Sequence, residues 1–336
     1  GSEPGFINAE EARKRAPWFK GCNPCVEILL GNKSFCNLTE TDLSKFKGDS
    51  AGLRRAITIA ARANYRQTCV NLLDGILQEA WHLNNDFLRL CGVGLTGIAT
   101  RPDLKPYDLQ ELQRVAIAGA YGMADELDTP RPKNVTTVKP SGTLSKIMDT
   151  TEGVHKPLGR YVFNNVNLSK HDPLVSLCRS AGYRVFDNPS DSDAIIVTLP
   201  VEYEGVPFET FEKDGLKVEV NLETAISQLE RYKLYMENWC QQNVSATIYY
   251  SPNELPDIIT WLLENWNLYV GVSFLLRSDP TKTAKDLGYQ YLPQEVVTKE
   301  TYDEYVKGLQ PVNLDAANLI DAELQEDCAS GSCPVR

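Results

Sequence analysis

Strands alternating with helices predict an α/β fold with parallel strand pairing. Two observations carry that expectation: short runs rich in Val, Ile and Thr recur along the chain, and segments with apolar residues at helical spacing separate them. Residues 17–38 read as a strand-and-loop segment carrying Cys22, Cys25 and Cys36. From 50 to about 65, Leu53, Ile57, Ala60 and Ala61 recur at helical spacing beside Arg54 and Arg55, an amphipathic helix. A second helix fits 70–83, a glycine-rich apolar stretch covers 88–98, and 108–126 is helical again. The run 134–139 is a strand by its Val and Thr content, and Pro140–Ser145 is a turn entering a helix. Further strands are expected at 160–168, 194–199, 244–250 and 268–276, with helices at about 222–240, 253–266 and 300–308. The expected organisation is one globular body over 1–309 and a flexible tail over 310–336, where acidic and small residues dominate.

The 336 residues are 42% hydrophobic, enough for a sizeable core, and 24% charged, so the composition is that of a globular protein. A formal net charge of -11 repels polyphosphate backbones and argues against a nucleic-acid polymer as partner. A single nucleotide remains compatible, because a local set of backbone N–H groups overrides the global sign. No apolar run reaches the length of a membrane span, and no signal peptide is read at the start, so no membrane association is expected. Nine cysteines in that setting read as reduced thiols in the cytoplasm, not as a disulfide scaffold.

Cys22 and Cys25 form a Cys-x-x-Cys pair, which invites a zinc or a thioredoxin-like reading. Zinc would need two more ligands at matching spacing, and the only histidines, His82, His155 and His171, form no paired motif. A thioredoxin-like centre wants its first cysteine at a helix N-terminus, whereas Pro24–Leu30 reads as extended. On an extended strand Asn23, Cys25 and Glu27 at i, i+2 and i+4 share one face. That face would carry an amide, a thiol and a carboxylate, with a second thiol at Cys36. Cys22 reads as a small buried residue. At the other end, Cys328 and Cys333 are separated by Ala-Ser-Gly-Ser, a spacer short and flexible enough to close a disulfide and to swing between sites.

The Asn23-Pro24-Cys25-Val26-Glu27 core, Cys36-Asn37-Leu38 downstream and the Cys333-Pro334-Val335-Arg336 ending resemble the ribonucleotide reductases, and most of all the adenosylcobalamin-dependent (class II) enzymes of the monomeric, triphosphate-reducing branch. The resemblance implies the second half of a ten-stranded α/β barrel whose central finger loop carries the radical cysteine. It implies reduction of ribonucleotides to 2′-deoxyribonucleotides by thiyl-radical chemistry. Cys25 would hold the radical that takes the hydrogen from C3′, Glu27 would be the base on the 3′-hydroxyl, and Asn23 would position the sugar. Cys36 would be one reducing thiol, and Cys328 with Cys333 the shuttle that thioredoxin reduces. Adenosylcobalamin would be the cofactor. The chain departs from the family at Val26, where glycine is frequent, and at Cys22.

Val138–Ser145 places hydroxyls, a glycine and free N–H groups ahead of a helix, an anion site on physical grounds. It resembles the family's Pro-Ser-Gly-Thr segment, which implies substrate-phosphate contacts for Pro140, Ser141, Gly142, Thr143 and Ser145. Two other motifs are decoys. Gly92-Val93-Gly94-Leu95-Thr96-Gly97 matches a dinucleotide fingerprint by letters, but Glu111 falls inside a helix and a helix precedes the glycines. Tyr249-Tyr250 is not on the late strand where iron-dependent (class I) reductases relay a radical; that strand, 268–276, has no tyrosine pair. The glycyl-radical (class III) type is set aside because its C-terminal glycyl site and four-cysteine metal knot are absent from the sequence.

The resemblance covers only the later half of a family chain. A partner cysteine for Cys36 and an N-terminal half, as a separate chain or a missing segment, are therefore expected. The rivals are a non-catalytic thiol redox or zinc module built on Cys22 and Cys25, an inactive assembly subunit, and a class II reductase acting on diphosphates.

Overall fold

The computed structural model describes residues 5–73, 75–213 and 215–313. In chain order these hold β1 (Gly5–Ile7), α1 (Ala9–Arg15), β2 (Gly21–Cys22), β3 (Leu29–Leu30), β4 (Thr39–Asp42), α2 (Ser50–Gln67), α3 (Glu79–Leu88), β5 (Val93–Thr96), α4 (Pro106–Glu126) and α5 (Leu144–Met148). There follow β6 (Tyr161–Ser169), α6 (Pro173–Ser180), β7 (Val185–Asp187), β8 (Ala194–Glu202), β9 (Glu209–Lys213) and β10 (Leu216–Val220). The last are α7 (Ala225–Asn238), β11 (Thr247–Tyr250), α8 (Leu255–Glu264), β12 (Gly271–Leu276), β13 (Gln294–Val296) and α9 (Lys299–Lys307). The contacts divide the chain into two compact units, one comprising residues up to Pro157 with Glu223–Arg277, the other Leu158–Leu222 with the residues from Ser278 on.

The first unit is built on a parallel series. β4 pairs β5 in parallel, Thr39 opposite Val93 and Asp42 opposite Thr96. Cys91 N to Asn134 O (3.1 Å), Val93 N to Val135 O (2.8 Å) and Thr137 N to Val93 O (3.0 Å) lay residues 134–138 beside β5. Val138 N to Asn243 O (3.3 Å) and Ser245 N to Val138 O (2.8 Å) lay the run-in to β11 beside those. β11 then pairs β12 in parallel, and β1 closes that side antiparallel. Helices α2, α4, α7 and α8 lie between successive strands in the chain, the alternation that parallel pairing requires. α2 turns Leu53, Ile57, Ala61 and Tyr65 into the core against Leu109, Leu112, Ala116 and Ala120 of α4. Asp49 caps α2 by accepting Gly52 N at 2.8 Å, and Pro106 opens α4 where its missing N–H costs nothing.

The expected helix over 70–83 is displaced. Gly75 has φ +86°, which interrupts the helical run, and α3 begins at Glu79 instead. The second unit also corrects the expectation of parallel pairing: its sheet, in the order β13-β6-β8-β7, is antiparallel throughout. The signal was in the sequence. The second half of β6, Asn165–Ser169, alternates polar and apolar as a half-solvated antiparallel strand does, while β5 is buried at every position as a parallel strand is. α9 covers β6, with Tyr302 and Tyr305 stacking on Tyr161 and Phe163 at 5.1 and 4.9 Å between ring centroids. Gln310 N bonds Ala181 O at 2.8 Å and Val312 packs on Val175, Cys178, Ile195 and Val197. The rest of the expected tail, with Cys328 and Cys333, lies outside the described residues. Among the described residues no helix is long and apolar enough to cross a membrane.

The glycine-rich strand has a packing cause. A Cβ on Gly92 would lie 2.6 Å from Leu38 Cδ2, 2.7 Å from Ile28 Cδ1 and 2.9 Å from the Asn37 carbonyl oxygen. Gly92→Ala is expected to destabilise the chain by about 1–3 kcal/mol, because backbone has to move. Chemical denaturation checks this, and an unchanged midpoint would refute the close approach.

Candidate active site

β2 and β3 form a short antiparallel hairpin, Gly21 opposite Leu30 and Cys22 opposite Leu29, and residues 23–28 are its tip. This tip is a turn, not the extended strand expected from the sequence. Val26 N donates to Asn23 O at 2.9 Å, closing a β-turn with Pro24 at its second position, where a fixed φ near -65° favours turning. Val26 follows at φ +65°, a left-handed conformation that costs a β-branched residue about 1–2 kcal/mol. Asn23, Cys25 and Glu27 therefore do not share one face of a strand: Cys25 is exposed at the tip while Glu27 is 2% exposed.

The turn still brings the amide and the carboxylate together. Asn23 Nδ2 donates to Glu27 Oε2 at 2.6 Å, and Asn23 Oδ1 accepts Ile28 N at 3.0 Å. The backbone carbonyls of the tip are held from below. Glu27 O accepts from Thr137 Oγ1 at 2.7 Å and from Asn243 N at 3.3 Å, and Val26 O accepts from Asn243 Nδ2 at 3.1 Å. Gln242 ties the hairpin base to β5's entry: its Oε1 accepts Leu29 N (3.2 Å) and its Nε2 donates to Cys91 O (2.7 Å).

Cys36 joins the same electrostatic neighbourhood. Burial first, then the charge of Glu27, raises the Cys25 thiol above its ordinary pKa, while Lys139 opposes the shift. Solvent reaches Cys36, yet the surrounding protein mass, with Glu27 and Cys25, pushes its thiol up to about 12 against the same pull from Lys139. Cys22 is raised too, by burial and by Glu27. All three thiols keep their S–H bonds at neutral pH. A thioredoxin-like centre needs a depressed thiol, so the raised values speak against that reading. Among the described residues no group of three or more His, Cys, Asp or Glu side chains could hold a metal ion.

The Pro140–Ser145 turn, expected to hold phosphate, lies beside this cluster through Lys139. Ser141 is 3% exposed at φ +62° and donates its hydroxyl to Glu40 Oε2 at 2.7 Å. Lys139 Nζ stands 3.6 Å from the same oxygen. Pro140 is half-buried, Gly142 and Thr143 are exposed, and Ser145 is fully buried at the start of α5. Burial raises the Glu40 carboxyl, with Ser141 and Lys139 pulling it back. Gly94, paired with Glu40 across β4 and β5, makes room: its Cβ would sit 3.3 Å from Lys139 Cγ.

Sequence reasoning missed Glu40, Lys139, Thr137, Gln242 and Asn243. One signal was available, the three consecutive amides Gln241-Gln242-Asn243 entering an expected strand; the strand that carries Glu40 was not expected.

A turn-borne exposed thiol, a buried carboxylate and a second thiol beside a lysine, on a parallel α/β series, define a site for thiol chemistry that keeps S–H intact. The chain has the fold of the class II ribonucleotide reductases: a crystal structure of a B-12 dependent (class II) ribonucleotide reductase matches it with a TM-score of 0.75 at 20% identity, over 94% of this chain and 47% of that one. No protein-family model matches the chain. It is 24% identical over 389 residues to the adenosylcobalamin-dependent ribonucleoside-triphosphate reductase of Lacticaseibacillus paracasei, covering 99% of this chain and 49% of that protein. The enzyme of the same name from Levilactobacillus brevis is 25% identical over 387 residues, with the same coverage. A probable adenosylcobalamin-dependent ribonucleoside-triphosphate reductase of Dictyostelium discoideum is 26% identical over 329 residues, covering 94% of this chain and 40% of that protein. The resemblance read from the motifs thus extends along nearly the whole chain, which spans about half the length of these relatives.

Two charge changes test the electrostatics. Glu27→Gln removes a negative neighbour and is expected to lower the Cys36 pKa from about 12, whereas Lys139→Met is expected to raise it. The pH dependence of alkylation, followed on the Cys36 peptide, checks both; shifts of the opposite sign would refute the assignment.

Proposed function

We propose that this chain is the C-terminal catalytic half of an adenosylcobalamin-dependent reductase that converts ribonucleoside triphosphates to 2′-deoxyribonucleoside triphosphates. The observation that carries this reading is the finger turn, which offers a protonated thiol at its exposed tip and a buried carboxylate two residues on, held by an amide. Similarity to triphosphate reductases over 94–99% of the chain supports the substrate class.

Cys25 gives up its thiol hydrogen atom, and the resulting thiyl radical takes the hydrogen from C3′ of the ribose. Glu27 accepts the 3′-hydroxyl proton, and the 2′-hydroxyl leaves as water. Cys36 and a second thiol supply two electrons and become a disulfide; the C3′ hydrogen then returns from Cys25. The balance is ribonucleotide plus dithiol to deoxyribonucleotide, disulfide and water. Asn23 holds Glu27 in place and lies where it meets the sugar. The exposed Gly142 and Thr143, with Pro140, take the phosphates, while Ser141, bonded to Glu40, and the buried Ser145 shape the turn around them. Cys328 and Cys333 re-reduce the site by thiol–disulfide exchange, with thioredoxin as the external reductant.

The site fits a cofactor that draws a hydrogen atom from outside: the Cys25 thiol is exposed and stays protonated, and Pro24 beside it is exposed as well. Pro24 and Cys25 would face the adenosylcobalamin, which when bound supplies the radical by homolysis of its cobalt–carbon bond. The second thiol and the remaining strands come from an N-terminal half. Exposed Phe6 and Ile7 on edge strand β1, and Leu275 and Leu276 at the end of β12, support such a partner. None of the seven described cysteines is paired in a disulfide, which supports a cytoplasmic setting.

Turnover of CTP against CDP, with adenosylcobalamin and dithiothreitol, tests the proposal on the chain alone and with its N-terminal half. Deoxy product is expected from the triphosphate, only with the partner, and lost in Cys25→Ser and Glu27→Gln while Cys22→Ser retains it. No turnover by a soluble, paired complex would overturn the catalytic reading.

A further inference from the structure

The tip of the finger turn is held in a costly shape by residues that the chemistry does not touch. Asn243 is 0% exposed and all of its polar atoms are engaged. Its Nδ2 donates to Val26 O at 3.1 Å and to Gly271 O at 3.2 Å, and its backbone N donates to Glu27 O at 3.3 Å. Its own carbonyl oxygen accepts from Val138 N and from Thr137 Oγ1. The amide is oriented by Tyr232, also 0% exposed, whose hydroxyl donates to Asn243 Oδ1 at 2.8 Å and accepts Val270 N at 3.0 Å. Gly271 completes the seat: a Cβ there would meet Val26 Cγ1 at 2.8 Å. The left-handed Val26 is thus bonded through its carbonyl and packed through its side chain against one buried assembly.

Resting on the functional reading above, we propose that Asn243, oriented by Tyr232, is a positioning residue that holds Val26 in its left-handed conformation and so fixes Cys25 and Glu27 relative to each other. An amide is the group the task requires. It presents two N–H donors to two carbonyls while its oxygen takes a third partner, which no other neutral side chain of that size does. A relaxed turn would carry Cys25 away from the protein mass and from Glu27. Both hold its thiol up, so its thiolate fraction and its alkylation rate would rise.

The test uses the full chain, with iodoacetamide labelling read on the Cys25 peptide near neutral pH, and turnover measured with the N-terminal half. In Asn243→Ala, labelling of Cys25 is expected to rise several-fold and kcat to fall with KM little changed, since the phosphate turn is untouched. Tyr232→Phe keeps the ring and removes only the hydroxyl, and is expected to move both in the same direction by less; it serves where Asn243→Ala does not fold by circular dichroism. Adding Val26→Gly to Asn243→Ala removes the strain that the clamp opposes, and is expected to return labelling toward the parent value. Parent-like labelling in a folded Asn243→Ala or Tyr232→Phe chain overturns the clamp, as does a Val26→Gly addition that restores nothing. If labelling shifts as expected but no complex reduces ribonucleotide, the clamp stands and the functional reading falls.

Discussion

The site depends on satisfying a buried turn's backbone. Burying a peptide carbonyl without a hydrogen bond costs several times what the bond itself contributes, so a buried turn exists only where donors meet it. Here the partners come from two buried segments, Thr137 beside β5 and Gln242 with Asn243 in the run-in to β11. Gln242 reaches Leu29 of the hairpin and Cys91 before β5; Asn243 reaches Val26, Glu27 and Gly271. These bonds form together only when β5, the β11 run-in, β12 and the hairpin are in register. The finger turn and the parallel series are thus tied into one hydrogen-bonded network.

The same burial decides the thiol chemistry. Protein mass around the cysteines and the neighbouring Glu27 disfavour thiolate, whereas Lys139 pulls the other way without prevailing. A cysteine protease or disulfide oxidoreductase arranges the reverse, with cations and helix termini lowering the thiol. Hydrogen-atom chemistry needs the bond to hydrogen to survive until it is broken homolytically, and raised thiols meet that need. Lys139 is in turn restrained by Glu40, whose carboxyl also takes the Ser141 hydroxyl. One buried carboxylate therefore links the thiol cluster to the turn read as phosphate-binding. Gly94 is what lets the lysine stem pass between the strands.

Much of this was legible before any coordinates. Amphipathic spacing located α2, α4, α7 and α8, and apolar β-rich runs located β6, β8, β11 and β12, because each period reports a buried face directly. The constellation of Asn23, Cys25, Glu27 and Cys36 was legible because its residue types are chemically distinctive. The turn that carries it was misread: Asn-Pro is a turn signal, but the following Val-Glu-Ile-Leu-Leu favours a strand, and tertiary hydrogen bonds from Asn243 and Thr137 overrode that local preference. The supporting residues were illegible for a different reason. Thr137 and Asn243 neighbour the turn, and Glu40 meets Ser141, only through strand pairing, and a single sequence carries no register between segments a hundred or more residues apart. The antiparallel second unit was missed because the alternating half of β6 was read only for its β-propensity, not for its solvated face.

Where the bonds run decides what the turn depends on. Asn23, Cys25 and Glu27, and the hydrogen bonds that shape their turn, belong to this chain's first unit. The geometry of the turn is therefore set within that unit. The charges that bear on Cys36, those of Glu27, Cys25 and Lys139, come from the same unit. β4 pairs only β5 among the described strands, on the side of the series that leads from Cys36. Its other edge, next to the residues just after Cys36, presents backbone groups that a further strand would satisfy.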